Sequence, residues 1–493
     1  MATVEAAARA EVTFPPAKLF IGGEWVEPAG GRTLDVENPA TEEILTEVAA
    51  AGTADVDRAV AAARSALDGD WGWNTPARER GRLLWRLADA LEARIDEFAR
   101  LETLDNGKPI FESRYVDVPA AVEALRYFAG WADKIMGETI PVSGPIVLAY
   151  TLREPVGVVA AITPWNFPLI QALWKIAPAL ACGNAVVHKP ASYTPLSALK
   201  FAELVVECGL PPGALNVVTG SGAEVGNALV AHPGVAKVSF TGSTEVGRDI
   251  MRGAAATVKR VTLELGGKSP NIVFADADLD AAVKGAYNGI FYGKGEVCAA
   301  GSRLFVEEAV HGELVERLVA RTKRLAPGDP LDPRTKLGAL VSRKQRETVL
   351  GYVEEGKREG ARVVHGGEAA SIGGKGWFMQ PTILDGVSND MKVAREEIFG
   401  PVLAVIPFKE VEEAVQLANA SIYGLAAGVW TRDVGKAHQV ARRLQAGTVW
   451  INQYNWYDSA APFGGYKQSG FGRELGKQAI EAYTEVKTVY VGR

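Results

Sequence analysis

Apolar and polar positions follow three rhythms along this chain. Residues 19–50 alternate short apolar runs with turns, which predicts small antiparallel strands on the surface of a domain. Between residues 84 and 132, apolar residues recur at helical spacing, which predicts helices that face a core. The positions that define these stripes are Leu84, Leu87, Ala88, Leu91, Ile95 and Phe98, and then Val122, Leu125, Phe128, Ala129 and Ala132.

From Val156 the pattern becomes a regular alternation of apolar strands and amphipathic helices. A first region contains VGVVAAI, NAVVHK, LNVVTG, KVSF and RVTLEL. A second region, from Asn271 to about Phe463, contains NIVF, RLFV, VLAVIPF, GVW and TVWIN. This alternation predicts parallel sheets with right-handed crossovers, and therefore a doubly wound α/β fold.

Two further segments have the composition of strands but no local partner. Residues 139–155 break the helical pattern, and the segment from Tyr483 to Val491 alternates as a half-exposed strand does. An unpaired strand edge of this length promotes association unless something covers it. We therefore expect both segments to be covered by another subunit.

Composition narrows the class of protein. A chain of 493 residues with 47% hydrophobic content is long enough for two or three domains. Its net charge of −6 comes from 53 basic and 59 acidic side chains that are mixed along the sequence. Neither nucleic acid nor an anionic membrane surface is therefore an expected partner.

Cysteine and histidine usage argues against metal sites and disulfides. The three cysteines, Cys182, Cys208 and Cys298, show no metal-ligand spacing, and the five histidines are scattered singly. Residues 1–14 lack the apolar stretch of a signal peptide, and no later run reaches the ~20 apolar residues of a membrane span. These features predict a cytoplasmic protein with no membrane association.

Two residues have the chemistry of a nucleophile and a base. Cys298 is followed by Ala299, Ala300 and Gly301, which leave room for a substrate carbon to approach its sulfur. Glu264 ends an apolar strand pattern and precedes Leu265 and two glycines. Each residue alone has a plainer interpretation, because a single cysteine is often an inert packed side chain and a glutamate is often solvated or paired.

Small residues follow several of the predicted strands, where ligands of parallel sheets bind. The segment from Gly220 through Gly222 to Gly226 is one residue longer than the usual dinucleotide fingerprint, and Ser243 opens a predicted helix. Backbone N–H groups at such positions approach a pyrophosphate closely. Ordinary strand-to-helix turns remain the alternative.

Several spaced motifs, in this order, resemble those of the aldehyde dehydrogenase superfamily. They are Pro164-Trp165-Asn166-Phe167-Pro168, Lys189-Pro190-Ala191, Phe240-Thr241-Gly242-Ser243, Glu264-Leu265-Gly266-Gly267-Lys268-Ser269-Pro270, Gly295-Glu296-Val297-Cys298, Glu397-Ile398-Phe399-Gly400-Pro401 and the run from Pro462 to Gly470. The resemblance covers nearly the whole chain, and an ordered set of motifs is far more specific than any one of them.

The resemblance implies an architecture. Residues 17–138 and 156–267 would form a Rossmann-like dinucleotide-binding domain, and residues 268–463 an α/β catalytic domain. Residues 139–155 and 481–493 would form a small β arm that joins subunits into a homo-oligomer, either a dimer or a tetramer.

The resemblance also implies catalytic roles. Cys298 would attack the aldehyde carbon, and the side-chain amide of Asn166 with the backbone N–H of Cys298 would stabilise the oxyanion. Glu264 would activate the hydrolytic water, and Lys175 and Glu474 would pass its protons on. The plainer interpretations are a turn-forming role for Asn166 and ordinary ions at the other two positions.

NAD or NADP is the cofactor that the resemblance implies. Lys189 would hold the adenosine ribose, Ser243 the pyrophosphate and Glu397 the nicotinamide ribose, with Phe399 packed beside the nicotinamide. The remaining cofactor positions are Ile162, Thr163, Pro164, Trp165, Ser192, Gly222, Gly226, Phe240, Leu265 and Gly266.

Two positions depart from the pattern of the family. Glu296 stands where glutamine is frequent, which places a charge near the thiol. Ser192 stands where a glutamate is frequent in members that prefer NAD, so we expect NADP to be accepted as well.

Five aromatic residues match the aldehyde tunnel of the family: Phe167, Trp174, Tyr292, Tyr457 and Phe463. Together they predict an uncharged funnel for an apolar aliphatic or aromatic aldehyde. Two alternatives remain open, which are a family member with a binding or structural role in place of catalysis and an enzyme that releases its acyl group to coenzyme A.

Overall fold

Every strand predicted in the two alternating regions is present in the computed structural model, which describes residues 2–143 and 147–492. The strands of these residues are β1 (Leu19–Ile21), β2 (Glu24–Val26), β3 (Thr33–Asn38), β4 (Glu43–Ala49), β5 (Thr139–Ile140), β6 (Leu148–Pro155), β7 (Val158–Ile162), β8 (Ala185–Lys189), β9 (Leu215–Val217), β10 (Lys237–Thr241), β11 (Arg260–Glu264), β12 (Pro270–Val273), β13 (Arg303–Glu307), β14 (Arg362–His365), β15 (Ala369–Ile372), β16 (Lys375–Met379), β17 (Thr382–Asp385), β18 (Val402–Phe408), β19 (Ala426–Trp430), β20 (Thr448–Ile451), β21 (Gly470–Phe471) and β22 (Thr484–Val491).

The helices carry the amphipathic segments between these strands. They are α1 (Ala2–Arg9), α2 (Thr53–Asp68), α3 (Ala77–Ala93), α4 (Ile95–Asn106), α5 (Ile110–Glu112), α6 (Val118–Ala129), α7 (Pro168–Ala181), α8 (Leu196–Glu207), α9 (Asn227–Ala231), α10 (Thr244–Ala255), α11 (Leu279–Phe291), α12 (Glu308–Thr322), α13 (Arg343–Glu359), α14 (Lys392–Arg395), α15 (Val411–Asn419), α16 (Val434–Arg443) and α17 (Gly476–Ala482). π-Helical turns occupy Ser113–Asp117 and Gly222–Gly226, and 3₁₀ turns occupy Tyr292–Gly295 and Lys467–Ser469.

The first large sheet has the strand order β2-β1-β9-β8-β7-β10-β11-β21. Strands β7 to β11 are parallel to one another, whereas β1, β2 and β21 add to the edges in antiparallel pairings. Every residue of β7, β8 and β10 is buried, as expected for a parallel sheet that is covered on both faces. The hairpin β1–β2 therefore extends this sheet, while β3 and β4 form the separate surface hairpin that the sequence predicts.

The second large sheet has the order β14-β17-β18-β13-β12-β19-β20. It is parallel from β17 to β20, and only β14 pairs with its neighbour in antiparallel register. The strands between residues 362 and 385 were not predicted from the sequence. Of these, β14 and β17 complete the sheet, and β15 and β16 form a hairpin of their own.

Strands β5, β6 and β22 form a three-stranded antiparallel sheet in the order β22-β6-β5. Thr484 to Val491 pairs with Pro155 to Leu148 along the whole length of β6. Chain folding therefore brings together two segments for which the sequence offers no local partner. Coverage of this sheet by another subunit stays a prediction, as do the domain boundaries.

Candidate active site

The first sheet has a topological switch point between β7 and β10. Strands β8 and β9 lie on one side of β7, and β10 and β11 lie on the other. Loops that follow two such strands diverge, so a crevice opens beyond the carboxyl ends of the strands. A cleft of ≈ 240 Å³ lies at this position, and the loop that carries Cys298 forms part of its wall.

The cleft brings together nine of the site residues predicted from the sequence. They are Pro164, Trp165, Asn166, Ser243, Leu265, Gly266, Cys298, Glu397 and Phe399. These residues come from both alternating regions of the chain, so the cleft is built jointly by the two large sheets.

Cys298 lies in the loop after the turn Tyr292–Gly295 and is partly buried. Burial, and then the negative charges of Glu397 and Glu264, raises the pKa of its thiol to about 12. Only the thiolate is a good nucleophile, so a proton must be removed before or during attack. A base near the sulfur is therefore required for covalent chemistry.

Asn166 is buried and follows the carboxyl end of β7 by four residues. Its Nδ2 donates a hydrogen bond to the backbone carbonyl of Glu296, at 2.8 Å. A primary amide has two N–H donors, so one remains for a ligand in the cleft. The bond to Glu296 also ties this amide to the loop of Cys298, which fixes its direction.

Glu264 ends β11 and is buried. Burial, and then the charge of Glu474, raises its pKa well above the usual range of a carboxyl group. A carboxylate with a raised pKa takes up protons more readily near neutral pH, which suits a general base. A Cβ at Gly464 would lie 2.7 Å from Oε1 of Glu264, so glycine is needed there for close approach.

Lys175 and Glu474 form a buried ion pair beside Glu264. The Nζ of Lys175 also donates to the hydroxyl of Thr241, at 2.7 Å, and Thr241 pairs with Glu264 across β10 and β11. Glu474 is held by a backbone bridge to Phe463. The two residues predicted to pass protons on from Glu264 therefore form a buried pair and are not surface ions.

Glu397 and Phe399 reach the cleft from the segment before β18. The N–H of Gly267 donates to Oε1 of Glu397 at 2.9 Å, and burial raises the pKa of this carboxyl to about 7. A Cβ at Gly266 would collide with the same carboxylate. Phe399 has a left-handed φ of 57° and packs edge-on against Trp165, with ring centroids 5.2 Å apart.

The other predicted cofactor residues lie at the carboxyl ends of neighbouring strands, outside the lining of this cleft. The hydroxyl of Thr163 lies 2.9 Å from Nε2 of His188. Lys189 Nζ donates to the carbonyl of Pro190, and Ser192 Oγ donates to the carbonyl of Gly220, both at 2.9 Å. Burial lowers the pKa of Lys189 to about 8.

The predicted cofactor residues that remain outside the lining of the cleft are Ile162, Gly222, Gly226 and Phe240. Gly226 lies against the Lys189 side chain, and Phe240 packs under Gly242. Ile162 is the last residue of β7, and Gly222 begins the π-helical turn, with no atom within 4 Å of the position of a Cβ. Ser243 caps α10 by accepting the N–H of Val246, as its place before a helix predicts.

The five predicted tunnel residues form two aromatic groups. Phe167 stacks on Tyr292 with centroids 6.1 Å apart, and Trp174, Tyr457 and Phe463 pack in a triangle with centroids 5.5–6.4 Å apart. Tyr292 and Tyr457 also line an outer cleft of ≈ 500 Å³.

The outer cleft corrects the expectation of an uncharged funnel. Glu112, Arg321 and Lys336 line it together with the aromatic rings, and Lys336 Nζ lies 3.4 Å from the centroid of Phe111. Because these residues come from segments far from the aromatic motifs, the motifs alone gave no sign of them.

Glu296 does not leave an uncompensated charge beside the thiol. Its Oε2 lies 2.8 Å from Nζ of Lys294, and both side chains are fully buried. Lys294 therefore compensates the charge of Glu296 within the same loop, and the effect of this departure on the thiol stays a prediction.

Four cleft residues were not predicted as site residues: Gln171, Thr241, Gly242 and Gln345. Thr241 and Gly242 belong to a motif that the sequence did single out, and Gln171 follows Asn166 by five residues on α7. Gln345 lies on α13 and donates to the carbonyl of Phe399 at 2.7 Å, a contact for which the sequence offers no signal.

Within residues 2–143 and 147–492, no group of three or more histidine, cysteine, aspartate or glutamate side chains is arranged to hold a metal ion. None of the helices in these residues combines the length and apolar character needed to cross a membrane.

The fold and the cleft define a class of protein in which a Rossmann-like sheet and a second α/β sheet share a site that contains a cysteine thiol. The sequence model of the aldehyde dehydrogenase family matches residues 25–489. The chain therefore belongs to the aldehyde dehydrogenase family, which confirms the resemblance seen in its motifs.

Individual relatives agree over nearly the whole length. Human retinal dehydrogenase 2 is 50% identical to this chain, and the match covers 91% of that protein and 96% of this chain. The structure of an aldehyde dehydrogenase from Bacillus cereus in complex with NAD⁺ is 50% identical, with a TM-score of 0.95 over 100% of this chain and 99% of that chain. A mutant of the indole-3-acetaldehyde dehydrogenase AldA of P. syringae, in complex with NAD⁺ and IAA, is 46% identical, with a TM-score of 0.96 over 99% and 98%.

Proposed function

We propose that this protein oxidises an aldehyde to a carboxylic acid with NAD or NADP, through a covalent intermediate on Cys298. The observation that carries the proposal is the shared cleft, in which the Cys298 thiol and the Asn166 amide lie beyond the carboxyl ends of β7 and β10. Aldehyde oxidation is the reaction of the family, and the roles given below to single residues are part of the proposal.

The chemistry explains why a thiol is needed. An aldehyde carbon is trigonal and releases hydride poorly until addition makes it tetrahedral and electron-rich. Attack by the thiolate of Cys298 forms a C–S bond and places a negative charge on the carbonyl oxygen. Loss of hydride from this carbon then leaves a thioester on Cys298, and water cleaves the thioester to release the acid.

Asn166 would stabilise the oxyanion together with the backbone N–H of Cys298. The amide suits this task because its bond to Glu296 fixes it before reaction, and a donor that is already oriented costs no reorganisation. Glu264 would take the proton of the hydrolytic water, and the buried pair of Lys175 and Glu474 would carry protons away from it.

The cleft suits NAD because small side chains line it where the cofactor would approach the backbone closely. Gly242, Gly266 and Ser243 line the cleft, and Ser243 begins α10, whose N-terminal N–H groups favour an anion. Relatives at 46% and 50% identity have been solved with NAD⁺ bound. When bound, the nicotinamide supplies the hydride acceptor.

The contacts of individual residues with the cofactor follow from the resemblance. Lys189 and Ser192 would face the adenosine ribose, Glu397 the nicotinamide ribose, and Phe399 the nicotinamide ring. Ser192 carries no charge that would repel a 2′-phosphate, so we include NADP as a cofactor.

The aldehyde would approach along the aromatic groups. The rings of Phe167, Trp174 and Phe463 favour an apolar aliphatic or aromatic substrate. Arg321 and Lys336 line the outer cleft and not the cleft of Cys298, so we expect them to meet only the remote end of a long substrate.

The arm would join subunits into a dimer or tetramer. Strand β22 is an edge of its sheet, and Leu148, Val486 and Tyr490 are 53%, 57% and 68% exposed. An exposed edge with apolar side chains is stabilised by a covering surface, and a second copy of this chain would supply it. The cytoplasmic setting expected from the sequence stays a prediction.

Steady-state kinetics of purified protein with a panel of aldehydes tests this function. We expect reduced nicotinamide and free acid in equal amounts, and no reaction from Cys298→Ala, which should still bind the cofactor. Cys208→Ala is the matched control and should keep full activity, because this thiol lies at the end of α8, away from the cleft. Substantial turnover by Cys298→Ala would contradict the proposal. So would release of the acyl group to coenzyme A in place of free acid.

A further inference from the structure

The backbone before Cys298 adopts an unusual conformation. Gly293, Lys294 and Gly295 all have left-handed φ angles, of 57°, 63° and 73°. Glycine adopts this conformation freely, whereas a residue with a Cβ is strained in it. Such strain persists only where surrounding contacts hold the backbone in place, so Lys294 needs partners that do so.

The amine of Lys294 makes two hydrogen bonds and one ion pair. Its Nζ donates to the carbonyl oxygen and to Oδ1 of Asn106, at 2.7 and 2.8 Å, and lies 2.8 Å from Oε2 of Glu296. Asn106 ends α4 and is 188 residues away along the chain. One side chain therefore joins the loop of Cys298 to helix α4.

Glu296 continues this connection toward the cleft. Its Oε1 accepts the N–H of Val341 at 3.1 Å, while its backbone carbonyl accepts Nδ2 of Asn166 at 2.8 Å. Glu296 is two residues before Cys298. The position of this residue therefore sets both the thiol and the amide that is proposed as the oxyanion donor.

Asn106 connects Lys294 back to the residue that precedes Asn166. Its Nδ2 donates to the backbone carbonyl of Trp165 at 2.7 Å, and Trp165 precedes Asn166. The contacts run from Asn166 to Glu296, through Lys294 to Asn106, and back through Trp165. A closed ring of this kind holds its members more rigidly than a chain of contacts with a free end.

We propose that the buried Lys294–Glu296 ion pair is a positioning device, which holds the Cys298 thiol and the Asn166 amide at the spacing required for oxyanion stabilisation. The inference rests on the proposed function, and neither side chain lines the cleft, so both act through other residues. The charge of Glu296 is therefore compensated by Lys294. The residue at which this chain departs from the family pattern belongs to a coupled pair.

The coupling predicts a distinctive pattern of variants. Changing either residue to glutamine leaves a buried charge without its counter-charge, which is strongly unfavourable and shifts the loop. Changing both to glutamine removes both charges and keeps an amide donor facing an amide acceptor of similar size. The double variant should therefore perform better than either single variant.

The experiment compares Lys294→Gln, Glu296→Gln and the double variant with the parent enzyme, each measured well below its own melting temperature. We expect each single variant to lose about 10- to 100-fold in kcat, because small misplacement of reacting groups has effects of this size. The KM for NAD should stay within about threefold, since no ring member except Trp165 and Asn166 lines the cleft. The double variant should recover kcat to within about threefold of the parent.

An exposed pair on α13 provides the matched control. Lys357 and Glu354 lie 2.6 Å apart at 41% and 61% exposure, and their two single glutamine variants should keep the parent kcat. The inference is overturned if both Lys294→Gln and Glu296→Gln keep kcat within threefold of the parent. It is overturned equally if the double variant is as slow as the worse single variant. Should a single variant fail to fold, the kcat of the folded double variant decides. A kcat within about threefold of the parent supports the inference, and a lower kcat overturns it.

The alkylation rate of Cys298 by iodoacetamide separates this inference from the proposed function. A parent protein that oxidises no aldehyde would contradict the function, yet its thiol could still be alkylated. The single variants should then differ from the parent rate by more than about threefold and the double variant should match it, because the rate depends on the placement of the thiol. Equal rates in all four proteins would overturn the inference by itself.

Discussion

Burial sets the protonation of the residues proposed for catalysis. Desolvation raises the pKa of Cys298 to about 12 and that of Glu264 well above its usual range. At neutral pH the thiol is therefore held as the neutral acid, and Glu264 is a carboxyl group that binds a proton readily. Cys298 must therefore lose its proton before or during attack on a substrate.

Asn166→Ala should lower kcat by about 10²–10³, because it removes one of the two proposed donors to the oxyanion. The melting temperature should change only slightly, since the residue loses a single hydrogen bond, to the carbonyl of Glu296. Steady-state kinetics and thermal unfolding check the two parts. A loss of kcat below threefold would assign Asn166 to turn geometry instead.

Glu264→Gln should give a rapid burst of reduced cofactor followed by slow turnover. Thiol attack and hydride transfer can proceed without the base for water, whereas thioester hydrolysis cannot. Rapid-mixing absorbance measures the burst, and Glu481→Gln, an exposed carboxylate on α17, is the control. A slow first turnover without a burst would mean that Glu264 also removes the proton of Cys298.

Among the elements, the loops after β8 and β9 bear on the choice of cofactor. These strands are neighbours in parallel register, so their carboxyl ends place Lys189 and Ser192 beside Gly220. A glutamate at position 192 would accept a hydrogen bond from a ribose 2′-hydroxyl and repel a 2′-phosphate. Serine removes that repulsion and leaves Lys189 as the nearby cation.

We expect kcat/KM with NADP to lie within about tenfold of that with NAD, a difference of no more than ~1.4 kcal/mol. Ser192→Glu should shift the preference toward NAD, and Ser192→Ala, which adds no charge, should keep the use of NADP. Initial rates with both cofactors provide the comparison. Discrimination against NADP by more than a hundredfold in the parent enzyme would mean that another group guards the 2′ position.

At the scale of the whole molecule, the β arm pairs two strands, β6 and β22, that lie far apart along the chain. Strand β22 follows the last helix and pairs with all eight residues of β6. The side chains of Leu148 and Val491 lie opposite each other in this register, and both are exposed, at 53% and 45%. Removal of β22 would expose β6 as well, so the arm behaves as one unit.

Deletion of residues 484–493 should therefore give monomers or aggregates on size exclusion. The deletion removes β22 completely and leaves the edge of β6 without its partner. A variant that ends at Val491 keeps β22 and should elute as the full chain does. If the shorter variant kept both its elution volume and its activity, a bridging role for the arm would be ruled out.

The sequence by itself determined most of the local elements and the family. Alternation of apolar strands with amphipathic helices predicted β7 to β13 and β18 to β20, because burial on both faces requires continuous apolar strands. Motifs around Glu264 and Cys298 identified the family, because nucleophile, base and small neighbours are needed at fixed places. Glycine-rich segments between residues 362 and 385 gave weak strand signals, and their strands were missed.

Only the tertiary structure decided which distant residues meet. The order β9-β8-β7-β10-β11 creates the switch point and its cleft, the pairing of β6 with β22 joins segments more than 300 residues apart, and Lys294 reaches Asn106 across 188 residues. Local patterns record whether a side chain prefers burial, but they do not record its partner. Compensation of Glu296 by Lys294, and the charges of the outer cleft, therefore became visible only when the chain was folded.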